Sequence, residues 1–192
     1  MQNDHPALVI IDMQQCMAGP ASGARNNPQA EANIAALLQN WRAHGAPVVH
    51  VRHISRSPES GFAPGQPGAW FQPAFEPRAG EHVVEKNVPD AFIHSGLERW
   101  LRVRGIDKLV VAGVSTNISV ECSVRSAGNL GFAVTLPADA CFAFARHDHD
   151  GVARSADQVH AMSLANLAGE YAAITTSTEA LAMLCRPTEP GR

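Results

Sequence analysis

The sequence lacks the marks of a disulfide scaffold, a membrane span or a nucleic-acid surface. Its four cysteines, Cys16, Cys122, Cys141 and Cys185, show no C-x-x-C spacing and are too sparse to staple 192 residues, so reduced thiols serving mostly as packing are expected. No uninterrupted apolar run approaches the roughly 20 residues of a bilayer helix, and no basic region followed by a long apolar one opens the chain. There is no basic excess either: the formal net charge is -3, which disfavours a polyanionic partner. Repeats and low-complexity runs are also missing. These absences predict a soluble, cytoplasmic protein with no nucleic-acid or membrane partner. The length fits one domain, residues 1–185, with a short tail at 186–192.

Apolar strand-like runs alternating with helical patterns fill the chain. Ala7-Leu8-Val9-Ile10-Ile11 reads as a strand buried on both faces, with Asp12 at its C-terminal end. A Gly/Ala/Pro/Asn-rich loop follows over Gly19 to Pro28. After it come a helix with Ile34, Leu37, Leu38 and Trp41 on one stripe, closed by Gly45, and a strand over Pro47 to Val51. The stretch from Ser55 to Gly80 is dense in proline and glycine and carries Trp70, Phe71 and Phe75. So long a loop, with aromatics in it, suits a pocket wall or lid.

Further on, His82 to Glu85 reads as a strand leading to Lys86. A helix from Ser95 carries Leu97, Trp100, Leu101 and Val103. Ile106 to Ala112 supplies a central strand. Ala133 to Leu136 is another strand, and Arg146 to Gly151 a polar loop. Ser155-x-x-Gln158 is a capping box ahead of a helix bearing Val159, Met162 and Leu167. Ala172 to Ile174 and Ser177 to Cys185 are the last strand and helix. The pattern predicts a single three-layer α/β/α domain around a mostly parallel sheet of about six strands. Ligands bind at the C-terminal strand edge of such sheets, where Asp12, Lys86 and Ser119 all fall.

The stretch from Val110 to Ala127 turns an apolar strand into a helix across Gly113-Val114-Ser115-Thr116-Asn117. Thr116 and Asn117 suit an N-cap, and Val120, Val124 and Ala127 share one helix face. Ser119 then lies in the first turn, where outward N–H groups and the helix dipole favour negative charge. Such a position suits a nucleophile or an anion.

Three motifs carry a family resemblance: Val9-Ile10-Ile11-Asp12-Met13-Gln14; Glu85-Lys86 followed by Ala91-Phe92; and Gly113 to Asn117 with Arg125-Ser126-Ala127-Gly128-Asn129-Leu130-Gly131. Their order and spacing resemble the isochorismatase-like hydrolases, also called the cysteine hydrolase superfamily, over nearly the whole chain. The resemblance implies strand order 3-2-1-4-5-6, a homo-oligomer (dimer or tetramer), a small-molecule substrate and no cofactor. It also implies an Asp-Lys-Cys triad, with Asp12 and Lys86 matching and Ser119 in the place of the cysteine. Its cis-peptide turn, an oxyanion site, would fall at Val114-Ser115 and Ser119. Gln14, Cys16, Trp70, Phe71, Phe92, Ser115 and Thr116 are candidate substrate contacts.

The serine leaves three readings open. It is an engineered replacement of the catalytic cysteine of an amide hydrolase; or it is native and the chemistry is the cysteine-independent vinyl-ether hydrolysis of isochorismatases; or the fold serves binding or assembly. A hydroxyl is far harder to ionise than a thiol with a pKa near 8.5, so Ser119 would need strong base help from Asp12.

Among other candidates, Cys122 lies about 300° round the helix and one turn deeper than Ser119 and reads as packing. Cys16 reads as pocket lining. The His147-Asp148-His149-Asp150 run reads as a solvated loop, and His50 and His53 lack the aspartate of the metal-binding nicotinamidase branch. No metal is expected.

Overall fold

The computed structural model describes residues 5–19 and 23–185; the expected tail at 186–192 lies outside them. In chain order the described elements are β1 (Ala7–Ile11), α1 (Ala30–Ala43), β2 (Val48–His53), β3 (His82–Lys86), α2 (Leu97–Val103), β4 (Lys108–Val114), α3 (Glu121–Asn129), β5 (Ala133–Pro137), β6 (Cys141–Phe142), β7 (Arg146–His147), β8 (Ala153–Arg154), α4 (Ala156–Leu167), β9 (Ala173–Thr175) and α5 (Ser177–Ala182). Six strands form a parallel sheet in the order β3-β2-β1-β4-β5-β9, and the two-residue β6 pairs with β4 near its end. Among the described residues, no helix is long and apolar enough to cross a membrane.

The central strands are buried on both faces, so their alternate residues feed two cores. Val9 and Ile11 of β1, with Val49, Val51 and Val111, pack against Leu97 and Leu101 of α2, Val124 and Ala127 of α3 and Leu167 of α4. Leu8 and Ile10, with Val48, Val110 and Ala112, pack against Ile34, Leu37, Leu38 and Trp41 of α1 and Ala180 of α5. The predicted α1 stripe is thus the buried one. The Trp41 indole N–H donates to the Pro6 carbonyl at 2.8 Å, the partner a buried indole requires.

Three local expectations need correction. Val103 is 75 % and Met162 64 % exposed. The buried face of α4 is Ala156, His160, Ser163 and Leu167, a stripe that apolar periodicity misses because half of it is polar. Residues 146–151, expected as loop, belong to an antiparallel hairpin that pairs 146–147 with 153–154. Asp148 organises its turn by accepting from the Asp150 and Val152 N–H groups and from Arg154. The 155–158 capping box is present as expected, and Thr176 with Glu179 forms a second one ahead of α5.

Two features fix the sheet's opposite edges. At the C-terminal edge, Gly113 has φ +131°, and a Cβ there would lie 2.1 Å from the Ile11 carbonyl oxygen. Only glycine lets β4 approach β1 so closely beside Asp12. Toward the other edge, Glu81 accepts from Arg42 of α1 at 2.6 and 2.8 Å and from the Arg78 N–H at 2.7 Å, and it lies 2.8 Å from His50 of β2. Burial works against the Glu81 carboxylate, but these bonds outweigh it and hold its pKa down at about 2.

Gly113→Ala is expected to destabilise the fold by more than about 3 kcal/mol, read as a shift in urea midpoint. The lowered Glu81 pKa gives stability that is present above its unfolded value near 4.5 and lost as pH falls toward about 2. Comparing urea midpoints of the wild type and Glu81→Gln across that window should show the two curves converging on acidification; a constant gap would contradict the assignment.

Candidate active site

Three strand ends and one turn deliver the site. Asp12 follows β1, its N–H bonded to the Val51 carbonyl at 2.9 Å. Its φ of 52° is an uncommon conformation for a non-glycine residue and costs on the order of 1 kcal/mol. Lys86 closes β3, in register with His53 at the end of β2. Ser119 comes from the segment after β4, beyond the Val114–Ser115 peptide, which is cis.

That segment differs from the expected helix start. Residues Thr116–Val120 form a π-turn, and the α-helix begins at Glu121. Val120 N–H bonds the Ser115 carbonyl at 3.2 Å, an i→i+5 bond that widens the turn. Neither Thr116 nor Asn117 caps it through its side chain. The Thr116 hydroxyl lies 2.8 Å from His160 Nδ1, and the Ser115 hydroxyl donates to Asn117 Oδ1 at 3.2 Å.

The three side chains meet. Lys86 Nζ donates to Asp12 Oδ2 at 2.7 Å and to Ser119 Oγ at 3.2 Å. Lys86 is 3 %, Asp12 4 % and Ser119 8 % exposed, so the ammonium and carboxylate interact in a medium far less screening than water. Asp12 Oδ1 is buried with no hydrogen-bond partner among the described residues. Burial raises the Asp12 pKa above the usual carboxylate range, against the opposing charge and hydrogen bond of Lys86 and the Ser119 hydroxyl. The arrangement therefore holds a carboxyl able to take and return a proton, an ammonium able to stabilise negative charge, and a hydroxyl bonded to that ammonium.

The remaining candidates divide. The Gln14 side chain is wholly engaged with backbone: its Nε2 donates to the His53 and Ala69 carbonyls at 2.9 and 2.8 Å, and its Oε1 accepts from the His53 N–H at 2.7 Å. It ties the long loop to the end of β2. Phe71 is buried, edge-on to His50 at 5.8 Å. Trp70 beside it is 53 % exposed. Phe92 is half-buried against the core, 5.8 Å from Phe132. Its loop is pinned to α3 by Ser126 donating to Asp90 and by Ser123 accepting from the Ala91 N–H at 3.0 Å. Thr116 is fully buried and Ser115 nearly so.

The cysteines at 16, 122 and 141 form no disulfide. Cys16 packs beneath the long loop, its Cβ 3.4 Å from the Cβ position of Gly61 and 2.9 Å from that of Gly68. Burial, with the Asp12 charge adding to it, pushes its pKa up to about 11, the opposite of an activated thiol. Cys122 is half-buried rather than buried; burial first, then Asp90 and Glu121, raise its pKa. Among the described residues, no group of three or more His, Cys, Asp or Glu is placed to hold a metal ion.

His53, which the sequence presents only beside the question of a metal, also lies at this strand edge. Its register places it beside Lys86, and its ring stacks edge-on to Phe62 at 5.4 Å. Burial, then the Lys86 charge, lower its pKa, while Asp12 opposes them. The rule that finds Asp12 and Lys86, a polar side chain at a strand's C-terminal end, also points to His53.

The chain matches the isochorismatase domain over residues 6–179. The chain belongs to the isochorismatase family. An isochorismatase-family structure from Chromobacterium violaceum is 55 % identical, with 96 % of each chain covered and a TM-score of 0.92. The uncharacterized isochorismatase family protein YrdC of Bacillus subtilis is 35 % identical over 90 % of this chain and 92 % of its own length. A maleamate amidohydrolase of Pseudomonas putida is 31 % identical over 66 % and 67 %. The protein is accordingly an isochorismatase-family hydrolase, from a family whose members include amidohydrolases.

Removing the Lys86 ammonium strands a buried carboxylate, so Lys86→Met is expected to destabilise the protein by about 3–5 kcal/mol at neutral pH. The loss should shrink as pH falls and Asp12 takes up a proton, because a carboxyl with a raised pKa stabilises the fold only in its protonated form. Urea midpoints measured against pH check this, and adding Asp12→Asn should restore part of the loss.

Proposed function

We propose that the protein hydrolyses the C–N bond of a small amide-like substrate, with Asp12 and Lys86 activating the side chain at position 119. The reading rests on one observation: a single buried ammonium is hydrogen-bonded at once to the Asp12 carboxylate and to Ser119 Oγ. In this scheme Asp12 accepts the proton of the attacking group, which adds to the substrate carbonyl. Lys86 and the N–H groups of the Val114–Ser115–Ser119 turn stabilise the resulting oxyanion. Asp12 then returns the proton to the leaving nitrogen, and water releases the acyl group by the same route. Trp70, Cys16, Ser115 and Phe92 form the substrate wall. Gln14, Phe71 and Thr116 support that wall from behind, since their polar or ring groups are already engaged. The same reading takes the protein as a cytoplasmic homo-oligomer acting without a cofactor.

A second reading draws on the raised Asp12 pKa. A carboxyl whose burial favours its protonated form suits protonation of a vinyl-ether carbon, which needs no thiol at position 119.

A panel of small primary amides and a vinyl ether separates the two. Ser119→Cys should raise amide turnover by at least about a hundredfold, because a thiol ionises far more readily than a hydroxyl, and Asp12→Asn should abolish it. An unchanged amide rate in Ser119→Cys, alongside vinyl-ether hydrolysis by the serine form, would sink the amidase reading.

A further inference from the structure

The π-turn is also gripped from behind, by groups the scheme above leaves unused. Ala156, His160, Ser163 and Leu167 form the buried face of α4. Such a face is ordinarily apolar, yet its two middle residues are polar and both reach Thr116. His160 Nδ1 lies 2.8 Å from the Thr116 hydroxyl, and Ser163 Oγ donates to the Thr116 carbonyl at 3.0 Å. That carbonyl also accepts the Glu121 N–H, the second i→i+5 bond of the turn. Ser163 thus occupies the other lone pair of an atom that defines the π geometry. Its hydroxyl lies 2.7 Å from Glu121 Oε2 as well, so its one hydrogen is divided between the turn and the first residue of α3.

One assignment of the histidine ring satisfies the groups around it. Asn27 Nδ2 stands 3.4 Å from His160 Nε2, but its two hydrogens go to the Ala138 and Cys141 carbonyls at 2.9 and 2.7 Å. His160 also bonds the Ala138 backbone. With Nε2 carrying the ring hydrogen toward the Ala138 backbone, Nδ1 accepts the Thr116 hydroxyl proton. Burial favours this neutral ring by lowering its pKa. Three buried polar side chains are costly unless every one is satisfied. Here one bond from His160 and one from Ser163 converge on the side chain and carbonyl of Thr116, three positions before Ser119.

We propose that His160 and Ser163 are positioning residues for the reaction at position 119: through Thr116 they set the π-turn, and with it the reach of the 119 side chain to Lys86 Nζ. The proposal rests on the role given to position 119 above. Its test needs no substrate, so its failure is separable from failure of the amidase reading.

In a Ser119→Cys background, the thiol's ionisation reports its approach to Lys86. Alkylation of that thiol by iodoacetamide, followed by mass spectrometry of its peptide from about pH 5 to 10, gives the midpoint. Adding His160→Leu should raise the midpoint by about one unit, seen as roughly tenfold slower alkylation below it. Thr116→Val should do the same, and the two together no more than either alone, because they interrupt one path. His160→Asn, whose Oδ1 falls where Nδ1 stands, should restore the parent midpoint. Ser163→Ala, the smallest change, should shift it in the same direction if His160→Leu fails to fold. Variants that melt earlier but keep the parent midpoint would overturn the proposal and leave α4 a purely structural support. A parent midpoint at the ordinary thiol value would instead overturn activation by Lys86.

Discussion

The buried contact between Lys86 and Asp12 is the interaction on which the site depends. An ammonium and a carboxylate removed from water are tolerable only together, and here they come from β3 and from the residue after β1, two strands separated by β2. The sheet must therefore hold its register across three strands. Val51 fixes Asp12 through its carbonyl, and Gln14 fixes the end of β2 through both faces of its amide. The long loop is attached to the same frame, since Gln14 also bonds Ala69. The pair thus organises more than itself: the loop, the strand ends and the turn carrying Ser119 are all arranged around one ammonium.

Much of this was legible in the sequence because the relevant signals are local. Continuous apolar runs mark strands buried on both faces, and a polar residue at the end of such a run lies at the ligand edge of a parallel sheet. Asp12 and Lys86 meet that rule; His53 does so only because β2 runs two residues beyond its apolar run. The α1 stripe and the capping box at Ser155 likewise depend on neighbours a few residues apart.

The illegible parts are those in which distant residues override local preference. Thr116 and Asn117 look like caps, yet the Thr116 hydroxyl is turned to His160, 44 residues away, and the turn widens to the π form. On α4, apolar periodicity selects Met162, while the face that is buried carries a histidine and a serine in its middle. No hydrophobic pattern can mark a stripe whose burial serves a polar contact. The hairpin at 146–154 is two residues per strand and held by Asp148, too short and too charged for strand propensity to register.

β3 carries a carboxylate-centred cluster just before its first residue and an ammonium-centred one at its last. Glu81 binds the Arg42 guanidinium at one end of the strand, whereas Lys86 at the other end sits beside Asp12 and Ser119. One strand thus carries a charge cluster at each of its ends. The two clusters still touch through β2, since His50, bound by Glu81, packs edge-on against Phe71 of the long loop, so a change at Glu81 reaches the wall of the site through one ring.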